Sequence, residues 1–328
     1  MRSVALASVC LVLYACAGGG AMVIPSLAPE APRVVELTDT PFHPQKEFQC
    51  GPAALATVLG ASGVRATPDE VKPLVYLPAR RGSLQVEMQA APRRYGRLSY
   101  ELEPQFDAIL AELAAQRPVL VLHNYGLPFL PRWHYAVVVG YDGGSDRIIL
   151  RSGTTARQLM GARTFMRAWD NGDRWALVLL RPGELPASTN ATRYLQSAAA
   201  FERGASPADA KAAFEAASRR WPDQPLAWIG MGTAEYRRNA FEAAARDYAS
   251  AVRLDRSNAG ARNNLAMTFV ELGCPAQARA QLDAIDRTSL SGPLHAAVED
   301  TSARLAEARP VEPAPSVCAE VGTLERGL

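Results

Sequence analysis

The spacing of apolar and polar positions divides the first half of the chain into helices followed by strands. Segments rich in alanine and leucine, separated by Gly and Pro, predict four helices that begin at Cys50, Pro68, Gly82 and Phe106. Runs of β-branched and other apolar residues predict strands at 33–37, 119–123, 133–141, 147–150 and 174–180. Helices that precede antiparallel strands are typical of an α+β domain.

The second half of the chain repeats with a period of 34 residues. Phe214, Tyr248 and Leu282 are 34 residues apart, and small alanines recur with the same spacing at 210, 244 and 278. Small residues let the two helices of a hairpin approach closely, and the large residues fill the space between hairpins. We therefore predict an all-α array of three tetratricopeptide-type repeats at 193–226, 227–260 and 261–294, the first of which caps the preceding domain.

These patterns divide the chain into six parts. We expect a targeting segment at 1–16, a flexible tether at 17–32, an α+β domain at 33–183, a linker at 184–192, the helical repeats at 193–308 and a loose tail at 309–328.

The composition is that of an ordinary globular protein. Of 328 residues, 48% are hydrophobic and 21% are charged, and the net charge of +2 is too small to indicate nucleic-acid binding. The four histidines are scattered and have no metal-ligand spacing with the cysteines. We therefore expect neither a metal nor another cofactor.

The first 16 residues resemble a bacterial lipoprotein signal. Arg2 precedes an apolar stretch too short to span a bilayer, and Leu13-Tyr14-Ala15-Cys16 resembles a lipobox. That resemblance implies that Cys16 carries a lipid anchor on the periplasmic face of the cell envelope. Ala17 after the cysteine favours the outer membrane. The alternative is a plain secretory signal with an incidental cysteine.

A cysteine at the start of a predicted helix is the first candidate for chemistry. Cys50 is followed by Gly-Pro and an Ala/Leu-rich segment. The unpaired N–H groups and the dipole of a helix N-terminus favour a thiolate there. Gln45 lies five residues earlier, close enough in sequence to donate a hydrogen bond to an oxyanion beside the sulfur.

His134 is the candidate partner of this thiol. It opens the strand Trp133-His134-Tyr135-Ala136-Val137-Val138-Val139, and His43, His123 and His295 have no comparable position. An imidazole within hydrogen-bond reach of a cysteine can take its proton and later protonate a leaving amine.

The two motifs together resemble the bacteriocin-processing (double-glycine) peptidase family and its wider papain-like relatives, in particular a subgroup fused to tetratricopeptide repeats. The resemblance covers residues 33–182. It implies a papain-like fold in which Cys50 is the nucleophile, His134 the general base and acid, and Gln45 the oxyanion donor. Gln49 is a second candidate for the donor.

The chain departs from this family at the third member of the triad. The family has an Asp before a Pro on the strand after the histidine strand, whereas this chain has Ser152 before Gly153. An antiparallel hairpin that turns near 143–144 would bring His134 opposite 152–154. It would leave Asp142 about 26 Å away along the strand, with Asp146 equally remote. Ser152, Thr154 and Asn124 remain as groups that could orient the imidazole.

Two further cysteines follow in the second half. Cys274 and Cys318 could form a disulfide in an exported protein, pinning the C-terminal tail to the last repeat, or remain two unpaired thiols.

The leading functional hypothesis is an exported, lipid-anchored cysteine peptidase that cleaves a peptide or protein substrate, with repeats that dock a protein partner or substrate. The transporter-linked leader substrate of the family is not carried over, because the chain has neither a transporter nor a cytoplasmic address. Two alternatives remain: an inactive pseudo-peptidase that serves as a binding and assembly module, and a transferase or amidase that uses the same Cys–His pair.

Overall fold

A computed structural model describes residues 23–24, 32–127, 129–309 and 316–326. The expected targeting segment with Cys16 and most of the expected tether lie outside these residues. Within the described part of the chain, no helix has both the length and the apolarity needed to cross a bilayer.

The first half contains a seven-stranded sheet in which every neighbouring pair is antiparallel. Six strands follow the order β2-β7-β3-β4-β5-β6, and β1 pairs with the far end of β4. The strands are β1 Val34–Glu36, β2 Leu98–Glu101, β3 Val119–Asn124, β4 Trp133–Asp142, β5 Arg147–Ser152, β6 Thr155–Gly161 and β7 Ala176–Leu180.

The sequence pattern did not predict the two edge strands, β2 and β6. Strand β6 is mostly exposed and therefore carries polar residues on both faces, which hides the alternation expected of a strand. Strand β2 has only four residues.

Five helices accompany the sheet: α1 Cys50–Ala61, α2 Pro68–Val75, α3 Gln85–Ala90, α4 Phe106–Ala114 and α5 Ala162–Asp170. Helix α1 is buried along most of its length, and Leu55 and Leu59 are completely inaccessible. Helix α3 begins at Gln85, three residues after the predicted start at Gly82. It ends at Ala90 and is followed by a 3-10 turn over Ala91–Tyr95, because Pro92 cannot supply the N–H that a continuing helix needs.

The described part of the second half consists of helices, and short turns join those between 191 and 283. They are α6 Ala191–Glu202, α7 Pro207–Arg220, α8 Pro225–Tyr236, α9 Phe241–Leu254, α10 Ala259–Glu271, α11 Pro275–Asp283, α12 Gly292–Glu307 and α13 Ser316–Arg326. A Cβ added to Gly230 would overlap the Phe214 ring, and one added to Gly232 would overlap the Tyr248 ring. The aromatic positions that repeat every 34 residues therefore pack against helix α8 where it has no side chain.

The helical array is fixed to the sheet at β2. Arg193 on α6 donates to Glu103 at 2.8 Å, and the Tyr100 hydroxyl donates to the Ser188 carbonyl at 3.2 Å. The buried Glu112 carboxylate accepts from the Ala187 N–H at 2.7 Å. One apolar core continues from the sheet into α8. The linker at 184–192 is thus held at several points along its length.

The C-terminal helix α13 packs on α9 rather than forming the loose tail expected at 309–328. A disulfide joins Cys274 to Cys318, with the two Cα atoms 6.0 Å apart. Arg246 on α9 pairs with Glu320 at 3.1 Å, and Val317 and Val321 are buried. Proline-rich composition suggested a loose segment, but the disulfide and these apolar contacts order residues 316–326.

We expect that reduction of the Cys274–Cys318 disulfide will destabilise the helical array. The bridge closes a loop with a sequence separation of 44, which corresponds to a loss of about 2–4 kcal/mol. Urea unfolding of the full chain with and without reductant measures this loss. The double variant Cys274→Ser/Cys318→Ser should show the same midpoint in both conditions, and an oxidised wild type no more stable than this variant would contradict the expectation.

Candidate active site

Cys50 is the first residue of helix α1. The turn before it reverses at Phe48, whose φ of 59° is in the left-handed region, and Gln49 occupies the cap position without a side-chain capping bond. Gly51 allows the helix start to approach the 83–85 segment, because a Cβ at this position would overlap the Ser83 side chain. The Cys-Gly pair therefore places the sulfur at a tightly packed helix end.

The electrostatics of Cys50 differ from those expected for a thiolate. Burial raises the pKa of the Cys50 thiol, and hydrogen bonds from the backbone N–H groups of Tyr135, Gly51 and Cys50 lower it by less. The sequence suggested that the helix N-terminus would favour the charged form. In the folded protein, desolvation of the sulfur outweighs these donors, and the resting group is a neutral thiol.

His134 is the second residue of β4 and lies opposite His123 on β3. Its Nε2 atom is 2.9 Å from the Ser152 hydroxyl oxygen. Burial lowers the pKa of His134, so the imidazole is neutral at pH 7. Among the described residues no direct hydrogen bond joins it to Cys50. The group of β4 that lowers the pKa of the Cys50 thiol is instead the backbone N–H of Tyr135, the next residue in the strand.

Ser152 reaches His134 because of a local irregularity at the end of β5. The pairing of β5 with β6 shifts register between Leu150 and Ser152, and Gly153 follows with φ of 61°. Such a bulge re-aims the side chain that it carries. The Ser152 side chain is nearly inaccessible to solvent and is directed at the imidazole.

Gln45, Cys50 and Ser152 line one small pocket. The Gln45 N–H donates to the Gly153 carbonyl at 3.0 Å, which ties the segment before α1 to the β5–β6 turn. Gln49 does not line this pocket. Together with the His134–Ser152 bond, this arrangement brings the four residues singled out from the sequence into one site.

Of the other candidate orienters, Thr154 is exposed in the turn after β5, and Asn124 has a structural role. The Asn124 side chain accepts from the N–H groups of Gly126 and Arg132, both at 2.9 Å, and closes the loop between β3 and β4. Asp142 accepts from the Gly144 N–H at the β4–β5 turn, and Asp146 from the Ile24 N–H. Within the described residues, no carboxylate contacts the His134 imidazole.

Three residues near the site were not predicted from the sequence. His43 and Arg151 line the same pocket as Cys50. The Tyr125 ring lies 5.8 Å from the His134 ring, and its hydroxyl is 2.8 Å from His123 Nδ1. Burial lowers the pKa of His123 to about 3, so this histidine is neutral. The sequence signal for each was its proximity to a candidate residue, since His43 is two residues from Gln45, Arg151 precedes Ser152 and Tyr125 follows Asn124.

An exposed apolar surface adjoins the histidine side of the site. It consists of Tyr125, Leu127, Phe129, Leu130 and Trp133, and we call it the apolar tip. Phe129 is 83% exposed, and two backbone hydrogen bonds between Leu127 and Leu130 shape the turn that carries it. Half of the large exposed hydrophobic residues of the described chain belong to this one loop, which is typical of an interaction surface.

The described residues contain no group of three or more His, Cys, Asp or Glu side chains arranged to hold a metal ion.

We expect Cys50 to be alkylated slowly at neutral pH and faster as the pH rises. Because its pKa is raised by burial, the rate with iodoacetamide should increase roughly tenfold per pH unit from 7 to 9. Peptide mass spectrometry of the full chain follows Cys50 separately, while Cys274 and Cys318 are protected by their disulfide. A rate that is already maximal at pH 6 would show instead a resting thiolate.

Comparisons with known proteins add little to this geometry. No family model matches the chain, and no curated protein matches it either. It is similar to a solved structure from Bacillus anthracis, of a protein named only provisionally as a C39-like peptidase, with 14% sequence identity and a TM-score of 0.40. The match covers 46% of this chain and 98% of the other. At this level of similarity, the site must be interpreted from its own residues.

Proposed function

We propose that the protein is an exported cysteine peptidase of the papain-like, double-glycine peptidase type. The observation that carries the proposal is the shared location of Gln45, Cys50 and Ser152 in one pocket, with His134 bonded to Ser152. A binding module has no need of a thiol, an imidazole and an amide at a single helix N-terminus.

In the proposed reaction, Cys50 and His134 begin as a neutral pair. Nε2 carries the imidazole proton and uses it to form the hydrogen bond to the Ser152 hydroxyl oxygen. Nδ1 then accepts the thiol proton as the sulfur attacks a peptide carbonyl. The side-chain amide of Gln45 and the N–H of Cys50 stabilise the oxyanion. His134 then gives its proton to the leaving amine, and water hydrolyses the thioester, which restores the thiol.

Ser152 would take the place of the family's aspartate as a neutral orienting group. It can fix the tautomer and direction of the ring through the 2.9 Å bond, but it cannot stabilise an imidazolium by charge. The proposed enzyme therefore depends on substrate binding to start proton transfer rather than on a preformed ion pair, and it should be slow.

The apolar tip favours a peptide substrate with large apolar side chains. It is continuous with the site, because Tyr125 lies beside the His134 ring and Trp133 precedes His134 in β4. On the cysteine side, the exposed Phe48 ring packs against Arg81, with the guanidinium 5.6 Å from its centroid. An extended peptide across Cys50 could contact apolar surface on both sides.

An anchor at Cys16 would hold this site away from the membrane. Ile24 bonds to Asp146 at the β4–β5 turn, at the opposite end of β4 from His134. Ten extended residues separate the two ends by about 30 Å. In this proposal the lipid lies at the turn end, the catalytic pair faces the periplasm, and the tetratricopeptide-type array docks a protein partner or substrate.

The second candidate function is an inactive assembly module built on the same fold. It is favoured by the absence, among the described residues, of a carboxylate at His134 and by burial that keeps both members of the pair neutral. In that case the helical array and the apolar tip would account for the function through binding alone.

We expect the full chain to cleave peptides in a proteome-derived library and Cys50→Ala to cleave none. His134→Ala should lower kcat by about 10²–10⁴-fold, since it removes the general base. Ser152→Ala should lower kcat about tenfold, the equivalent of one lost hydrogen bond of ~1.4 kcal/mol. Ser152→Asp, which supplies a carboxylate beside the imidazole, should raise kcat. Mass spectrometry of new N-termini gives the rates.

Thr154→Ala is the matched control for Ser152, because Thr154 is an exposed hydroxyl residue of the adjacent turn. It should leave kcat unchanged. Wild-type protein with no cleavage above the level of Cys50→Ala would reject the peptidase and leave the assembly module.

We expect Phe129→Ser combined with Leu130→Ser to raise KM for peptides with bulky apolar residues about tenfold or more, with kcat unchanged, because both side chains would be buried by substrate. Leu159→Ser is the control, since Leu159 is also a large apolar residue with an exposed side chain, at 45%, but belongs to the edge strand β6. An equal effect of the two changes on KM would mean that the tip does not contact substrate.

A further inference from the structure

An open polar cavity lies at the seam between the sheet and the helical array. It has a volume of about 300 Å³ and shares none of its lining residues with the Cys50 pocket. Side chains from three places meet around it. Gln89 and Arg93 come from α3 and the following 3-10 turn, Ser99 and Glu101 from β2, and Arg193 and Ser197 from α6.

The acidic groups at this seam are already engaged. The Glu101 carboxylate accepts from the Gln89 amide and pairs with Arg193 at 3.7 Å. Arg193 also donates to Glu103 at 2.8 Å. The charge of Arg193 is therefore balanced by protein carboxylates.

Arg93 differs from Arg193 in having no such partner. No carboxylate within the described ranges forms an ion pair with it, although its side chain is partly buried. Burial and then the neighbouring positive charge of Arg203 lower the pKa of Arg93. A guanidinium that is desolvated and repelled by another guanidinium is stabilised by an anion in contact with it.

Ser99 provides a second unused group in the same cavity. Its hydroxyl oxygen is buried and has no hydrogen-bond partner among the residues that the structure describes. Buried hydroxyls are rarely left unpaired, because an unmade hydrogen bond costs free energy. A ligand oxygen in the cavity could pair with both the Ser99 hydroxyl and the Arg93 guanidinium.

We propose that this cavity binds a small oxyanion, either a carboxylate or a phosphate group, on Arg93 and Ser99. The planar guanidinium can form two parallel hydrogen bonds to either group. A ligand held there would bridge the 3-10 turn, β2 and α6, and would tie the helical array more firmly to the catalytic domain. The site is independent of the peptidase reaction.

Isothermal titration of the full chain with sodium phosphate and with sodium acetate, at constant ionic strength, tests the proposal. We expect saturable binding of one equivalent of at least one anion. Arg93→Gln should weaken it tenfold or more, and Ser99→Ala should weaken it to a smaller extent. Binding of phosphate alone identifies a phosphoryl ligand, and binding of acetate alone or of both identifies a carboxylate as a ligand that fits.

Arg94→Gln is the matched control, because Arg94 follows Arg93 in the same 3-10 turn but is exposed and does not line the cavity. It should bind as tightly as the wild type. Equal weakening by Arg93→Gln and Arg94→Gln, or no saturable binding by the wild type, would overturn the proposal.

The Arg93→Lys variant tests whether weaker anion binding could result from a loss of folding. It keeps the charge but not the paired donors, so it should bind more weakly than wild type while its thermal unfolding midpoint without anion is unchanged. An anion should raise the midpoint of the wild type more than that of Arg93→Lys. Equal increases in both would also contradict a site built on this guanidinium.

Discussion

The packing of the α1 N-terminus against the start of β4 is the constraint on which the site depends. In the described part of the chain, β5 pairs with β4 only from Val137 onwards, so the first residues of β4 have no paired strand on that side. The Tyr135 N–H there lowers the pKa of the Cys50 thiol. Gly51 also lets the helix start pack against the 83–85 segment, because any side chain at that position would overlap Ser83. The thiol is thus positioned where the pairing between β4 and β5 ends.

The same packing determines the charge state of the site. The Cys50 sulfur is enclosed between a helix end and a strand, and burial raises its pKa by more than the nearby N–H groups lower it. Burial likewise lowers the pKa of the His134 imidazole. Both groups are therefore neutral at rest. A carboxylate in place of Ser152 would favour the imidazolium, so the identity of this one residue affects whether the imidazole is charged or neutral at rest.

The helical half is organised by close contact at two levels. Within it, Phe214 and Tyr248 pack against glycines of α8, and the last helix is joined to the array by a disulfide and an ion pair. At its beginning, α6 is fixed to β2 by Arg193, and the buried Glu112 carboxylate holds the backbone of the linker. Since the core is continuous across this boundary, the array and the sheet are expected to move together.

Local sequence determined the elements whose signals are local. The helix that begins at Cys50, the apolar strands β3, β4, β5 and β7, and the 34-residue spacing follow from periodicity, because a buried face leaves a regular pattern. The hairpin argument also brought Ser152 opposite His134, since antiparallel pairing is fixed by counting from the turn. The polar edge strand β6 gave no such pattern because it is mostly exposed. Helix α13 gave none because it is held by a disulfide to Cys274, far away in the sequence.

Only the tertiary structure decided the chemistry of the site. The neutral state of Cys50 depends on desolvation by residues far away in the sequence, which opposes the effect expected from the helix end alone. Elements that meet only in the folded chain also place His43 and Tyr125 beside the site and gather the exposed side chains of the apolar tip. They likewise leave Arg93 without an ion-pair partner among the described carboxylates. Sequence spacing fixes which residues can be neighbours along one element, whereas burial and charge at a site are sums over all the elements around it.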